Sequence, residues 1–198
     1  MPVLDVIGWV LQTIMVIGAV YGLYHVLVGL NAFGELKLPE PEPGEKQHRF
    51  AILVCAKNES SVIDQLLLTL GNQDYPRELY DVFVVADNCT DDTAEICRKA
   101  GAYVYERTDP DRKGKGFAMS WFFERFNVDH AGRYDACVVF DADNVVEVGF
   151  LEAVNTRFNH GETIVVGYRT GKNPSSSWVA GCSTLYWLLQ TRFFHLPR

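Results

Sequence analysis

Ala136–Asn144 reads ACVVFDADN: a short, unbroken apolar run that stops at two aspartates separated by one alanine. An apolar run of this length without polar alternation is the pattern of a strand buried on both faces, as in a parallel sheet covered by helices. The pattern recurs upstream. Ala51–Ala56 (AILVCA) runs into Lys57, Asn58 and Glu59, and Val82–Ala86 (VFVVA) runs into Asp87, Asn88 and Cys89. Between and beyond these runs the apolar period becomes helical. Val62, Ile63, Leu66, Leu67 and Leu70 share one helical face over Ser60–Leu70, with Gly71 as the expected C-terminal cap. Thr90 is placed to cap a helix with Asp91 and Asp92 in its first turn, where the dipole favours anions, and Gly101 to end it. Ala102–Glu106 reads as a strand and Phe117–Phe126 as a helix, with Trp121, Phe122, Phe123 and Phe126 as core. A helix over Phe150–Phe158 and a strand over Thr163–Tyr168 follow. The expected fold class is therefore α/β: an open, mostly parallel sheet with helices on both faces.

Composition fits this reading. The chain has 198 residues, 48% hydrophobic and 13% aromatic, enough for a real core and unlike a disordered chain. Its net charge of −7 excludes a nucleic-acid binder, which needs a basic surplus against phosphate. Cys55, Cys89, Cys97, Cys137 and Cys182 are odd in number and include no C-x-x-C pair, which suits a reducing compartment.

The amino-terminal segment is different in kind. From Val6 to Gly34 there is no Asp, Glu, Lys or Arg, and only Gln12, Thr13 and His25 interrupt the apolar run from Val6 to Leu30. About 20 such residues cross a bilayer. The run has no basic n-region and no A-x-A-like cleavage site, so residues 1–34 read as a transmembrane helix and not as a signal peptide. Lys37, Lys46 and Arg49 follow the helix and no basic residue precedes it, which places the rest of the chain on the cytoplasmic side of the membrane. Residues 35–49, with three prolines within LPEPEPG, form a semi-rigid linker, and residues 50–198 the domain.

In open α/β sheets ligands bind at the carboxyl ends of the strands. Three strand ends here carry Glu59, Asp87, and the pair Asp141 and Asp143. Asp and Asn are also common loop formers. Three acidic strand ends on one edge, however, would repel one another without a cation between them, and Mg²⁺ or Mn²⁺ takes oxygen ligands and bridges phosphates. In an extended Asp141-Ala142-Asp143 both carboxylates would fall on one side, with Ala142 facing away. Arg107–Gly116 (RTDPDRKGKG) adds cations between glycines, suited to balancing a departing diphosphate. It has neither the Walker A order nor a GxGxxG.

The succession AILVCAKNES, VVADNCTDDTAEICRKAGA, RKGKGFAM and VVFDADN resembles the inverting family 2 glycosyltransferases, in particular the membrane-bound cellulose-synthase-like and hyaluronan-synthase-like branch. The resemblance covers roughly Phe50 to Trp187. It implies a GT-A, Rossmann-like fold, a nucleotide-diphosphate sugar donor, usually with uridine, and Mn²⁺ or Mg²⁺. Position by position, it implies that Ala56 and Glu59 line the base and ribose, that Asp87 contacts the uracil, and that Lys115 approaches the diphosphate. Asp141 would sit by ribose and metal, with Asp143 as the direct metal ligand. Tyr168–Trp178 (YRTGKNPSSSW) resembles the segment leading to the acceptor side.

The chain departs from the family after this point. No acidic T-E-D-like motif supplies the general base, and Gln190-Thr191-Arg192-Phe193 does not fit Q-x-x-R-W. The catalytic base is therefore expected beyond Arg198, the chain as an amino-terminal part carrying the donor half of the site, and the apolar face of a Trp178–His195 helix as incompletely packed. Expected partners are the sugar donor, a glycan or lipid-linked acceptor and the bilayer. Other readings are a non-catalytic membrane-anchored module and a D-x-D phosphatase, although the latter's pair belongs after the first strand. An extracellular domain would make Asn58-Glu59-Ser60 and Asn88-Cys89-Thr90 glycosylation sequons, at the expected donor site itself.

Overall fold

The computed structural model describes residues 3–30 and 46–191. Most of the expected linker, and Phe193 and His195 of the expected last helix, lie outside the described residues. The chain forms two compact units, which divide at Val165–Val166, inside the span read as one domain. One unit contains α1 (Val3–Leu30) and, near the other end of the chain, α6 (Trp178–Leu189). Within α1, Asp5–Leu27 has a mean hydropathy of 1.9 and no buried residue, and it is long and apolar enough to cross a membrane. The α6 helix is capped by Ser177, whose Oγ accepts from the Ala180 N–H at 3.1 Å, and Val179, Leu185 and Tyr186 on it are exposed.

The second unit contains the sheet. Its elements are β1 (Phe50–Ala56), α2 (Ile63–Gly71), β2 (Tyr80–Asp87), α3 (Thr93–Lys99), β3 (Tyr103–Arg107), α4 (Lys115–Asp129), β4 (Ala136–Asp141) and α5 (Phe150–Asn159). All strand pairs are parallel, in the order β3-β2-β1-β4. The chain steps outward from β1 to β2 to β3, then returns to place β4 on the other side of β1. The strand order therefore reverses between β1 and β4, the kind of place at which such sheets bind ligands.

Alternation along the strands sorts the core into two layers. Phe50, Ile52 and Val54 of β1 pack with Ile63, Leu66 and Leu70 of α2, Cys97 of α3 and Leu151 of α5. Ala51, Leu53, Phe83 and Val85 face α4 through Ala118, Phe122 and Phe126. Helices thus cover both faces, as expected, and Trp121 and Phe123 pack partly buried against the second layer. The segment entering β1 is tied to α5: the His48 N–H donates to Asn155 Oδ1 at 3.0 Å, and the Tyr75 hydroxyl donates to the His48 carbonyl at 2.8 Å.

Four local expectations are corrected. Thr163–Tyr168 forms no strand; Ile164 and Val166 are exposed, and an apolar run without a hydrogen-bonded neighbour has no ladder to join. The β4 strand, read as buried on both faces, is an edge strand: Ala136, Val138 and Phe140 turn to the core while Cys137, Val139 and Asp141 are exposed. Gly71 is the last residue of α2, not its cap, and Asn72 follows at φ −105°. Thr90 does not cap α3. Asp92 holds that position, and Thr90 is drawn into a bond with the β1 loop.

Candidate functional site

The candidate site is the sheet edge formed by the carboxyl ends of β2, β1 and β4 and the first residue of α4. Two loops frame it on the β1–β2 side, and side chains stitch them together. Asn58, in the left-handed region at φ 55°, accepts on Oδ1 from the Thr90 N–H at 2.8 Å. The Glu59 N–H donates to Thr93 Oγ1 at 2.9 Å, and the Ser60 N–H donates to Asp91 Oδ2 at 3.2 Å. The Thr93 hydroxyl donates to Asp91 Oδ1 at 2.6 Å, and these bonds from Thr93 and Ser60 pull the Asp91 carboxyl down to about 2. Ala56 ends β1, and its carbonyl accepts from the Cys89 thiol at 3.5 Å. The Glu59 side chain is half-buried beside it.

Asp87 ends β2 and is buried. Its Oδ1 accepts from Arg107 Nη1 at 2.5 Å and from Asn88 Nδ2 at 2.9 Å, while Oδ2 has no hydrogen-bond partner among the described residues. Arg107 ends β3 directly opposite Asp87 in the ladder. Sequence reading did not find this pair. At the end of β2 the negative charge of Asp87 is balanced by this arginine of the neighbouring strand.

Lys115, the first residue of α4, pairs its ammonium with Asp141 Oδ1 at the end of β4. Gly114 before it sits at φ +115°, a conformation that side chains rarely adopt. Asp141-Ala142-Asp143 is not extended. The strand ends at Asp141, and a turn follows, closed by the Asn144 N–H donating to the Asp141 carbonyl at 3.1 Å. Asn144 Oδ1 accepts in return from the Asp141 N–H at 3.1 Å. The outcome expected of the extended form survives: both aspartates are exposed and Ala142 packs into the core.

Cys55 reports how these groups gather. It stands opposite Asp141 in the β1–β4 ladder. Burial pushes its thiol up to about 11; Lys115 opposes that rise, and Asp87 and Asp141 reinforce it. The register agrees: Asp141 is the ladder partner of Cys55, Lys115 pairs with that aspartate, and Asp87 closes the strand on the other side of β1. No group of three or more His, Cys, Asp or Glu side chains suited to a metal occurs among the described residues. The donor set present is the pair Asp141 and Asp143. Mg²⁺-type ions are commonly held by one or two carboxylates together with substrate phosphates, and this pair fits that pattern.

The chain is similar to proteins of known description. A low-salt glycan biosynthesis hexosyltransferase of Haloferax volcanii is 40% identical over 95 residues, which are 48% of this chain and 22% of that protein. A beta-monoglucosyldiacylglycerol synthase of Nostoc is 38% identical over 82 residues, 39% of this chain and 17% of that protein. The chain thus matches about a fifth of these relatives' length. The structure of a mannosyltransferase from Pyrobaculum calidifontis, solved with GDP-mannose and Mn²⁺, superposes with a TM-score of 0.57 at 20% identity, covering 84% of this chain and 48% of that one. That likeness shows the expected GT-A arrangement. The family model described as glycosyltransferase-like family 2 matches residues 48–194, so the chain belongs to that family.

Proposed function

We propose that this chain is the donor-binding part of a membrane-anchored inverting glycosyltransferase using a nucleotide-diphosphate sugar, with uridine as its base. The observation that carries the reading is that Asp87 and Asp141 end the two strands on either side of β1, with the Lys115 ammonium paired to Asp141 at the same sheet edge. In this reading Asp87 Oδ2 accepts the imino N–H of uracil, and Ala56 and Glu59 border the base and ribose. Lys115 lies beside the diphosphate as an exposed cation. Asp141 and Asp143 would hold Mn²⁺ or Mg²⁺, which when bound supplies charge neutralisation for the departing nucleoside diphosphate.

The proteins it resembles support this reading. The Pyrobaculum structure holds GDP-mannose and Mn²⁺, and the Nostoc relative is named for making a glycolipid. A glycan or lipid-linked acceptor therefore suits the whole protein, with α1 in the bilayer keeping the domain on the cytoplasmic side beside such an acceptor. The acceptor's general base is assigned to no residue of this chain.

Calorimetric titration of the full chain in detergent micelles with UDP and with GDP, each with and without Mn²⁺, tests the proposal. Metal-dependent binding of UDP in preference to GDP is expected. Preference for GDP would overturn the uridine assignment, since guanine also offers an imino N–H to Asp87. Binding of neither nucleotide by a folded sample would overturn the donor-site reading.

A further inference from the structure

Arg107 is buried at the end of β3, beside Asp87. Its guanidinium holds three partners at once. Nη1 donates to Asp87 Oδ1, and Nη2 donates to Asp109 Oδ2 at 2.9 Å and to the Arg112 carbonyl at 2.8 Å. Its Nε is buried and has no partner among the described residues, so the group is placed by its two outer nitrogens at the expense of the third donor.

A second strut runs beside it. Asn88, at φ 52°, donates its N–H to the Arg107 carbonyl at 2.7 Å, and its Oδ1 accepts from the Asp109 N–H at 2.9 Å. Asp109 in turn shapes the loop: its Oδ1 accepts from the Asp111 N–H at 3.1 Å and from the Arg112 N–H at 3.0 Å. Only Lys113 and Gly114 separate that turn from Lys115.

We infer that Arg107 is the positioning residue that couples the two ends of the donor site, fixing the Asp87 carboxylate and the loop carrying Lys115 from one guanidinium. The inference rests on the donor-site reading given above. Its physical basis is the planar fork. A guanidinium delivers two donors in fixed relative directions, so any movement of Asp87 is transmitted to Asp109 and Arg112. A lysine in the same place would keep the charge and lose the fork. Asp87 would then reach the base, and Lys115 the diphosphate, in correct mutual register only when the guanidinium spans both.

The test separates the ends with two half-ligands, uridine for the base end and Mn²⁺ with inorganic pyrophosphate for the phosphate end. Both are titrated into the full chain in micelles by calorimetry or ligand-observed NMR. Arg107→Lys is expected to weaken both half-ligands by about tenfold, the scale of one lost charge-assisted hydrogen bond. Asp87→Asn is expected to weaken uridine and leave Mn²⁺–pyrophosphate within about twofold, and Lys115→Gln to do the reverse. A merely structural arginine would not produce that split. An Arg107→Lys effect confined to one half-ligand overturns the coupling. So does an Asp87→Asn effect on both, which would place the link in the carboxylate. Should Arg107→Lys not fold by circular dichroism, Asp109→Ala cuts the loop side alone, and undiminished Mn²⁺–pyrophosphate binding in that variant overturns the proposal. Wild-type chain that binds UDP while failing these criteria sinks only the coupling; wild-type chain that binds no UDP sinks the donor site itself.

Discussion

Replacing Asp87 by alanine separates what this residue does for the fold from what it does for a ligand. Its side chain is 6% exposed and that of Arg107 3%, so the substitution leaves a buried guanidinium without its best partner. Breaking a buried ion pair from one side costs about 3–5 kcal/mol. Arg107 keeps Asp109, which is 32% exposed, and the Arg112 carbonyl, so the loss belongs at the low end, about 3 kcal/mol. For a chain of this size each kcal/mol lowers the midpoint by about 2–4 °C, which predicts a drop of about 6–12 °C. Thermal melts by circular dichroism, on the full chain in micelles, measure it. Asp143→Ala is the control: that side chain is exposed, and its removal should shift the midpoint by less than about 2 °C. The double change Asp87→Leu with Arg107→Met should recover much of the loss, because replacing both partners with apolar groups removes the uncompensated charge. An Asp87→Ala chain melting within about 2 °C of wild type would refute the argument that Arg107 depends on Asp87.

Three further outcomes follow from the site. Lys115→Gln removes the ammonium that pairs with Asp141; since that pair is exposed, Mn²⁺ added alone should bind about two- to fivefold tighter by electron paramagnetic resonance, while UDP binds more weakly. Tighter UDP binding in that variant would contradict the placement of Lys115. The Asp91 carboxyl is held near 2, below its ordinary 3.8, so its contribution to stability is present above pH 3.8 and disappears as pH falls toward 2. Midpoints of wild type and Asp91→Asn measured from pH 7 to 2 should therefore differ at neutral pH and converge in acid; parallel curves would oppose this. The Cys55 thiol, pushed to about 11 by burial, should be alkylated by iodoacetamide slowly at pH 8, faster as pH rises toward 11, and more slowly with UDP and Mn²⁺ bound.

The strands were legible because β1 and β2 are buried on both faces, which leaves an uninterrupted apolar signature. The β4 run carried the same signature and misled: Cys137 and Val139 are apolar by composition yet lie on an uncovered edge, which no local pattern reveals. Thr163–Tyr168 failed for a related reason, since a strand is defined by a neighbour and a β-branched run states only a preference. Within the site, the aspartates closing apolar runs were found because strand ends are readable. The pairing of Arg107 with Asp87 was not found, because the two lie twenty positions apart and meet through the β2–β3 register alone. Two charged residues of opposite sign, each ending a strand, were the available signal, usable once the strands are known to be neighbours. The turn at Asp141–Asn144 was hidden behind the choice of an extended geometry, although Asn144 is a residue type that closes such turns.

The central claim is that β2, β4 and the start of α4 together hold a metal-bound nucleoside diphosphate. Calorimetric titration of UDP into the full chain in micelles, with and without Mn²⁺, alongside Asp143→Ala, tests it most directly. The account predicts Mn²⁺-dependent binding in the wild type and loss of that dependence in the variant, with its melting midpoint unchanged. Binding that is equally strong in Asp143→Ala, or absent from folded wild-type chain, would contradict it.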